Sequence, residues 1–157
     1  MDIKEAKKII FKWLKEKEFK RVIIPGAGPF DYVHSLGEFS VLISFYKERF
    51  SESFIFDVGC YFDDCEYGYA TIDVRNLSSN QNSMNNPQGI YFGELNGEQL
   101  LNCLDEMFNK YLNPYYVKGK EYLKEIVLNE FQFDGKYSIA KGARQKINEM
   151  FGLNTKS

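Results

Sequence analysis

Two neighbouring segments of the chain carry a bulky apolar side chain at every second residue, and this alternation constrains the fold more than any other feature. The apolar positions of these segments, residues 38–47 and 53–62, are Phe39, Val41, Ile43, Phe45, Phe54, Phe56, Val58, Cys60 and Phe62. Successive side chains of a β-strand point to opposite faces of a sheet. Each segment is therefore predicted to be a strand with one buried face, which other parts of the chain must cover.

Further strands are expected on both sides of this pair. Residues 19–24, 30–36 and 69–75 are short segments rich in β-branched and aromatic side chains, and residues 90–95 are another short candidate. A turn-forming cluster of Pro and Gly over 25–29 separates the first two segments. Because consecutive strands follow one another without an intervening helix, the pattern predicts an antiparallel meander of four to six strands.

Apolar residues at helical spacing begin and end the chain. Residues 2–17 are predicted to be an amphipathic helix capped by Asp2, and a second helix is predicted from the cap Asn96 to Leu112. The chain is expected to be helical again after Pro114, with a last helix over 139–151. An aromatic content of 17% excludes a disordered chain. The sequence thus predicts one α+β domain over residues 1–157, with an N-terminal helix, an antiparallel β-meander and C-terminal helices.

The apolar pattern also restricts the register of the hairpin that joins residues 53–62 to residues 69–75. A two-residue turn would set apolar side chains opposite polar ones, because a shift of one residue turns every side chain to the other face. A three-residue connection over 63–65 instead gives the pairs Phe56–Ile72, Val58–Ala70 and Cys60–Gly68. In this register Asp57 and Asp73 are diagonal neighbours and are not directly opposed.

Charge is distributed unevenly, although the formal net charge is only -2. Residues 25–113 hold four bases and thirteen acids, whereas the segments 1–24 and 114–157 each hold eight bases and fewer acids. Phosphate contacts need Lys and Arg, so the acidic body argues against nucleic acid as a direct ligand and favours a basic protein partner. The chain lacks both an apolar run of roughly 20 residues and a signal-peptide pattern. A cytoplasmic location without membrane contact is therefore expected.

The residue types that carry catalysis are present but do not form a recognisable set. His34 is the single histidine, and Asp31, three residues earlier on the same predicted strand, should point to the opposite face. A nucleophilic triad or a histidine-based metal site is therefore not expected. Cys60, Cys65 and Cys103 fit reduced thiols in a cytoplasm, and a zinc site would need a fourth ligand. No catalytic residue, metal or cofactor is predicted.

The less apolar face of the sheet provides the best binding candidate. Its tyrosines and carboxylates are Asp57, Tyr61, Tyr67, Tyr69 and Asp73. Tyrosine is favoured at interfaces because one ring provides contact area and a hydrogen bond together. The alternatives are that the terminal helices cover this face or that it is an ordinary solvated surface. The polar segment 76–89 is long for a connection, and such segments are usually functional or disordered.

Three segments carry a resemblance to a known family. They are residues 14–21 (LKEKEFKR), 41–47 (VLISFYK) and 54–61 (FIFDVGCY). In these segments the chain is similar to small bacterial domains of unknown function that are associated with polymorphic-toxin systems as suspected immunity proteins. The family usually has Gly where this chain has Glu18, and often Gln where it has Tyr46. The resemblance implies a helix–meander–helix fold and a binding role without catalytic residues.

Three classes of function follow from these features. The leading hypothesis is a non-catalytic protein-binding domain, such as a toxin-neutralising immunity protein that occludes a basic toxin. A small metal-dependent hydrolase or nuclease would instead use Asp57, Asp73 and His34 with a divalent metal. A small-molecule-binding module would hold its ligand in an apolar pocket between the meander and the helices. The sequence leaves the oligomeric state open.

Overall fold

The two alternating segments form the central strands of an antiparallel sheet. The computed structural model describes residues 1–25, 30–75, 77–80 and 89–156, and within them the sheet has seven strands. These are β1 (Lys20–Val22), β2 (Phe30–Ser35), β3 (Ser40–Lys47), β4 (Ser53–Tyr61), β5 (Tyr69–Asp73), β6 (Gly89–Tyr91) and β7 (Ser138–Ile139). Their order is β1-β2-β3-β4-β5-β7, and β6 pairs with β4 beside β5. The α+β class and the meander are confirmed, with one strand more than the expected maximum of six.

The helices lie before and after the main part of the sheet in the chain, as predicted. They are α1 (Ile3–Glu16), α2 (Gly97–Met107), α3 (Asn113–Lys118), α4 (Lys120–Leu128) and α5 (Lys141–Phe151), and a π-helical turn over Phe108–Leu112 joins α2 to α3. The Asp2 carboxylate accepts from Glu5 N–H at 2.8 Å, and Asn96 and Gln99 form a reciprocal capping box. Each cap satisfies N–H groups that have no partner inside a helix. Over the described ranges, no helix combines the length and apolar character that crossing a membrane requires.

One face of the sheet provides most of the hydrophobic core. The alternating side chains of β3 and β4, from Val41 to Cys60, are fully buried and form one cluster with side chains of all five helices. Leu42 and Ile55 point to the opposite face and are buried outside this cluster. The helices therefore cover one face of the sheet, and we call the opposite one the open face.

The hairpin between β4 and β5 has an odd loop, as predicted, but a longer one. The observed pairs are Asp57–Asp73, Val58–Ile72, Cys60–Ala70 and Tyr61–Tyr69. Residues 62–68 therefore connect the strands, and the predicted connection over 63–65 is wrong by two residues in register. A shift of two residues keeps every side chain on its expected face, so the apolar sets still coincide. The shift places Asp57 and Asp73 directly opposite each other, not diagonally as predicted.

The 62–68 loop is longer than a tight turn because it docks on the N-terminus of α5. This helix has no side-chain cap, and Ala143 N–H in its first turn donates to Tyr67 O at 3.0 Å. A Cβ atom on Gly142 would lie 1.8 Å from Glu66 O, so only glycine allows the helix to approach the loop this closely. Tyr67 adopts a φ of 53°, a left-handed conformation that is uncommon for a residue with a side chain.

Two boundaries differ from the sequence prediction. The last helix begins at Lys141 and not at residue 139, because Ser138 and Ile139 pair with β5 as strand β7. The second helix ends at Met107, and the π-helical turn continues the chain to Leu112. Of the predicted turn over 25–29 and the polar segment 76–89, residues 26–29, 76 and 81–88 lie outside the described residues.

Replacing Gly142 with alanine should separate the loop from α5. The new methyl group would overlap the Glu66 carbonyl, and crowding of this kind costs about 2 kcal/mol of unfolding free energy. Urea denaturation followed by circular dichroism measures the change. Gly97→Ala is the matched control, because its nearest atom lies at 3.5 Å and alanine suits the first turn of α2. Equal stabilities of the two variants would contradict the docking of the loop.

Candidate functional site

All five residues predicted for binding lie on the open face or at its edge. Asp57 and Tyr61 belong to β4, Tyr69 and Asp73 belong to β5, and Tyr67 lies in the 62–68 loop. Tyr67 is 53% exposed, and the other four are half-buried. None of the five belongs to the core cluster that the helices cover. The helices thus leave these side chains accessible, and their role in binding stays a prediction.

Asp57 and Asp73 form a carboxyl pair on the open face, because they lie directly opposite each other across β4 and β5. Burial, followed by hydrogen bonding to Asp73 and the negative charge of Asp73, raises the pKa of Asp57 to about 7. Hydrogen bonding to Asp57 and the cation of Arg75 lower the pKa of Asp73. Asp57 is therefore the member of the pair that stays protonated to the higher pH.

Arg75 and Tyr46 complete this part of the face, and the sequence analysis missed both. Arg75 Nη2 lies 3.0 Å from Asp73 Oδ2. Its backbone is held by Tyr111 in the π-helical turn, whose hydroxyl donates to Arg75 O at 2.7 Å and accepts from Arg75 N–H at 3.1 Å. Burial, followed by the charges of Asp57 and Asp73, raises the pKa of Tyr46. Tyr46 alternates with the buried residues of β3, and this spacing was the signal that it shares the open face.

The three predicted tyrosines line one cleft at the end of β4. Tyr61 and Tyr69 are direct cross-strand neighbours, and Tyr67 follows from the loop. The cleft has a volume of about 560 Å³, and its other walls are Ile24, Pro25 and the loop residues 63–66. Ile24 is buried although it lies outside the regular strands. The connection after β1 therefore reaches the far end of the open face, which the sequence pattern did not indicate.

The cleft is negatively charged because only one of its three loop carboxylates has a cation beside it. Asp64 forms an ion pair with Lys146 of α5, and the hydrogen bond from that ammonium lowers the pKa of Asp64. Among the described residues, Asp63 and Glu66 have no ion pair within 4.0 Å. Burial and then the charge of Asp63 raise the pKa of the Tyr61 hydroxyl, so this ring stays neutral near pH 7.

Of the three residues of the metal-dependent hypothesis, Asp57 and Asp73 are brought together, but His34 is not. His34 pairs with Val41, whose side chain is in the core, so His34 lies on the helix side of the sheet, away from Asp57 and Asp73. Its Nδ1 atom is 3.1 Å from Glu18 O, and its ring stacks on Tyr116 with centroids 5.8 Å apart. Within the part of the chain that the structure describes, no group of three or more His, Cys, Asp or Glu side chains can hold a metal ion.

The cysteines lie where small apolar side chains would lie. Cys60 and Cys103 are buried, Cys65 is half-buried in the 62–68 loop, and all three are free thiols. Burial raises the pKa of Cys60 to about 12 and that of Cys103 to about 11. Burial also raises the pKa of Cys65. Because the thiolate is the reactive form, these thiols are poor nucleophiles at neutral pH.

The space between the sheet and the helices, where a small-molecule module would hold its ligand, is filled by large side chains. Those with less than 2% exposure include Phe45, Phe54, Phe56, Tyr115 and Tyr137. The hydroxyl groups of Tyr115 and Tyr137 lie 3.4 Å apart and satisfy each other in the core. The tyrosine cleft lies on the open face, outside this interior.

Comparisons of the chain with models of known protein families, with curated proteins and with solved structures found no match. We therefore infer its function from the geometry and charge of its own residues.

The raised pKa of Asp57 makes the stability of the fold depend on pH. The folded protein holds the proton of Asp57 up to about pH 7, whereas the unfolded chain releases it near the ordinary value of 3.8. The folded state binds more protons between these values, so the unfolding free energy falls as the pH rises through this window. The lowered pKa of Asp73 acts in the opposite sense and only at more acidic pH, where Asp73 becomes protonated.

The substitution Asp57→Asn should abolish the fall of the unfolding free energy with rising pH, because an amide can donate a hydrogen bond to Asp73 and does not ionise. Relative to the unmodified protein, the variant should gain about 1 kcal/mol between pH 5 and pH 8, a value reduced for the partial exposure of the pair. Chemical denaturation at several pH values measures the difference. Asp57→Ala should also lose the pH dependence but should be less stable at pH 5, since it lacks the hydrogen bond. A parallel pH dependence of Asp57→Asn and the unmodified protein would rule out the raised pKa of Asp57 in the folded state.

Proposed function

We propose that this chain is a non-catalytic protein-binding domain that binds a basic protein partner through its open face, as an immunity protein occludes a toxin. The observation that carries the proposal is the one-sided sheet. The helices pack on one face, while the opposite face presents a cleft of three tyrosines beside carboxylates without a cation. Such a surface suits a partner that brings positive charge and side chains to fill the cleft.

The tyrosines are suited to recognition because they give large contact area at low entropic cost. A tyrosine ring has two rotatable torsions, and its hydroxyl group can pair with polar groups of a partner. Tyr61 and Tyr69 are further fixed as a cross-strand pair, and Tyr67 is fixed by its backbone bond to α5. A preformed surface loses little freedom on binding.

An exposed apolar residue next to the cleft wall in the sequence adds to the case for an interface. Ile23 is 91% exposed and directly precedes Ile24 and Pro25, which line the cleft. Exposed apolar groups rimmed by polar ones often mark protein interaction sites.

The charge of the chain supports a basic partner over nucleic acid. Residues 25–113, which contain strands β2 to β6, hold thirteen acids and four bases. Complementary charge accelerates encounter and suppresses wrong partners. The similarity of residues 14–62 to immunity-associated domains favours the same role. We place the partner in the cytoplasm, where Cys60, Cys65 and Cys103 would remain reduced thiols.

The product of the gene adjacent to that of this chain is the partner to test. Size-exclusion chromatography with light scattering should show a one-to-one complex at low salt. The affinity should fall about tenfold between 50 and 200 mM salt, as expected for electrostatic association. An unrelated basic protein of similar size and charge is the control for non-specific attraction. Absence of a complex at low salt, or equal binding of the control protein, would contradict the proposal.

A double variant locates the interface. Tyr61→Ala with Tyr69→Ala removes two central rings and should weaken the complex at least about tenfold, which is typical of interface tyrosines. Tyr91→Ala is the matched control, because Tyr91 lies on β6 beside the opposite end of β4. Isothermal titration calorimetry gives both affinities. An equal loss of affinity in the double variant and in Tyr91→Ala would show that the partner binds elsewhere.

A further inference from the structure

We infer that the tyrosine cleft, walled by Tyr61, Tyr67, Tyr69 and the segment 24–25, receives an arginine side chain from an extended segment of the partner. The inference rests on the proposed function, because it names the group by which the partner is recognised. It is carried by three features of the cleft: aromatic rings over which no described Lys or Arg lies, rim carboxylates that have no ion pair among the described residues, and paired backbone groups on its two strands, β4 and β5.

The rings of the cleft differ from several other rings of the protein in that no described Lys or Arg lies over them. Elsewhere Lys and Arg lie over aromatic rings within about 6 Å, as Arg21 does over Phe30 at 5.5 Å and Lys17 over Phe108 at 4.7 Å. Across the described ranges, none of these contacts involves a ring of the cleft. The faces of the cleft tyrosines are therefore available to a cation from another molecule.

Charge complementarity selects a cationic side chain for this cleft. Asp64 is already paired with Lys146, but Asp63 and Glu66 have no ion pair within the described part of the chain. A cation lying on the rings of the cleft would therefore meet two carboxylates at the rim. Charge-assisted hydrogen bonds of this kind are stronger than neutral ones.

Arginine fits this arrangement better than lysine does. The guanidinium group is planar, so it can stack on a ring, and it presents five N–H donors in a fixed fork to the carboxylates. It is also more weakly hydrated than an ammonium group, which lowers the cost of entering the cleft. A volume of about 560 Å³ accommodates the head group together with part of the segment that carries it.

The two strands of the cleft, β4 and β5, are closed to strand addition, which favours recognition through side chains. At the level of the cleft, β4 is hydrogen-bonded to β3 on one side and to β5 on the other. Tyr69 O accepts from Ala140 N–H at 3.0 Å, and Phe62 N–H donates to Gly68 O at 2.7 Å. An extended partner segment therefore finds no free edge here to pair with. It can cross the cleft and insert a side chain.

Three short peptides test the inference on the full-length protein. They are acetylated and amidated Gly-Ser-Arg-Ser-Gly and its versions with lysine or citrulline in place of arginine. Nuclear magnetic resonance of the tyrosine rings reports binding. We expect the arginine peptide to shift the resonances of Tyr61, Tyr67 and Tyr69 with saturation. The lysine peptide should bind at least about threefold more weakly, and the uncharged citrulline peptide at least about tenfold more weakly.

Charge-removing variants provide the matched comparison. Asp63→Asn with Glu66→Gln should weaken the arginine peptide at least about fivefold, since both rim charges are lost. Glu98→Gln, which removes an exposed carboxylate in the first turn of α2, should leave the affinity unchanged. All three substituted residues are exposed, so the variants should fold normally. The main test is the comparison of the three peptides on the unmodified protein.

Equal affinities of the three peptides, shifts confined to tyrosines outside the cleft, or full affinity of the double variant would each overturn the inference. Failure here is distinguishable from failure of the proposed function. If the adjacent gene product forms the complex but the arginine peptide does not bind, the partner uses the open face without an arginine in the cleft. If the arginine peptide binds as expected but no complex forms, the cleft chemistry stands and the assigned partner is wrong.

Discussion

Burial of alternate aromatic and aliphatic side chains along β3 and β4 is the constraint from which the rest of this structure follows. Phe45 stacks on Phe56 with ring centroids 5.2 Å apart and contacts Phe54 edge-on at 5.8 Å. Burying one such side chain contributes about 1.5–3 kcal/mol, so a sheet with several of them on one face must be covered. All five helices contribute to this cover. The opposite face carries tyrosines and carboxylates together with the buried Leu42 and Ile55, and Ile24 and Pro25 line its cleft.

The faces of the strands could be predicted from the sequence, because alternation is a local property. Every apolar residue of β4 lies on its expected side, and His34 and Asp31 point to opposite faces as predicted. The register of the β4–β5 hairpin could not be predicted, because a shift of two residues leaves every side chain on the same face. The observed register accompanies the close approach of Gly142 to Glu66, a contact that exists only in the folded chain and that no local pattern shows. Strand β7 forms through its tertiary pairing with β5, so the local sequence pattern does not predict it either.

The position of the five candidate residues on the less apolar face could be predicted from the sequence, but their arrangement could not. The structure separates them into a carboxyl pair and a tyrosine cleft, and their role in binding stays a prediction. The direct opposition of Asp57 and Asp73, which were expected to be diagonal neighbours, follows from the corrected register and contributes to the raised pKa of Asp57. The sequence does not predict that Ile24 and Pro25 line the cleft, because the periodicity of a sequence does not show which connection lies against a face of the sheet.

The Tyr67 carbonyl group belongs to two structures at once, the wall of the cleft and the first turn of α5. A ligand that pushed the loop aside would have to strip a hydrogen bond from the helix and leave an amide without a partner. The opposite end of α5 is tied down as well, since the Asn148 side chain exchanges two hydrogen bonds with Thr155. The helix therefore resists a change in the conformation of the loop. The cleft should bind ligands whose shape already fits the surface of the free protein.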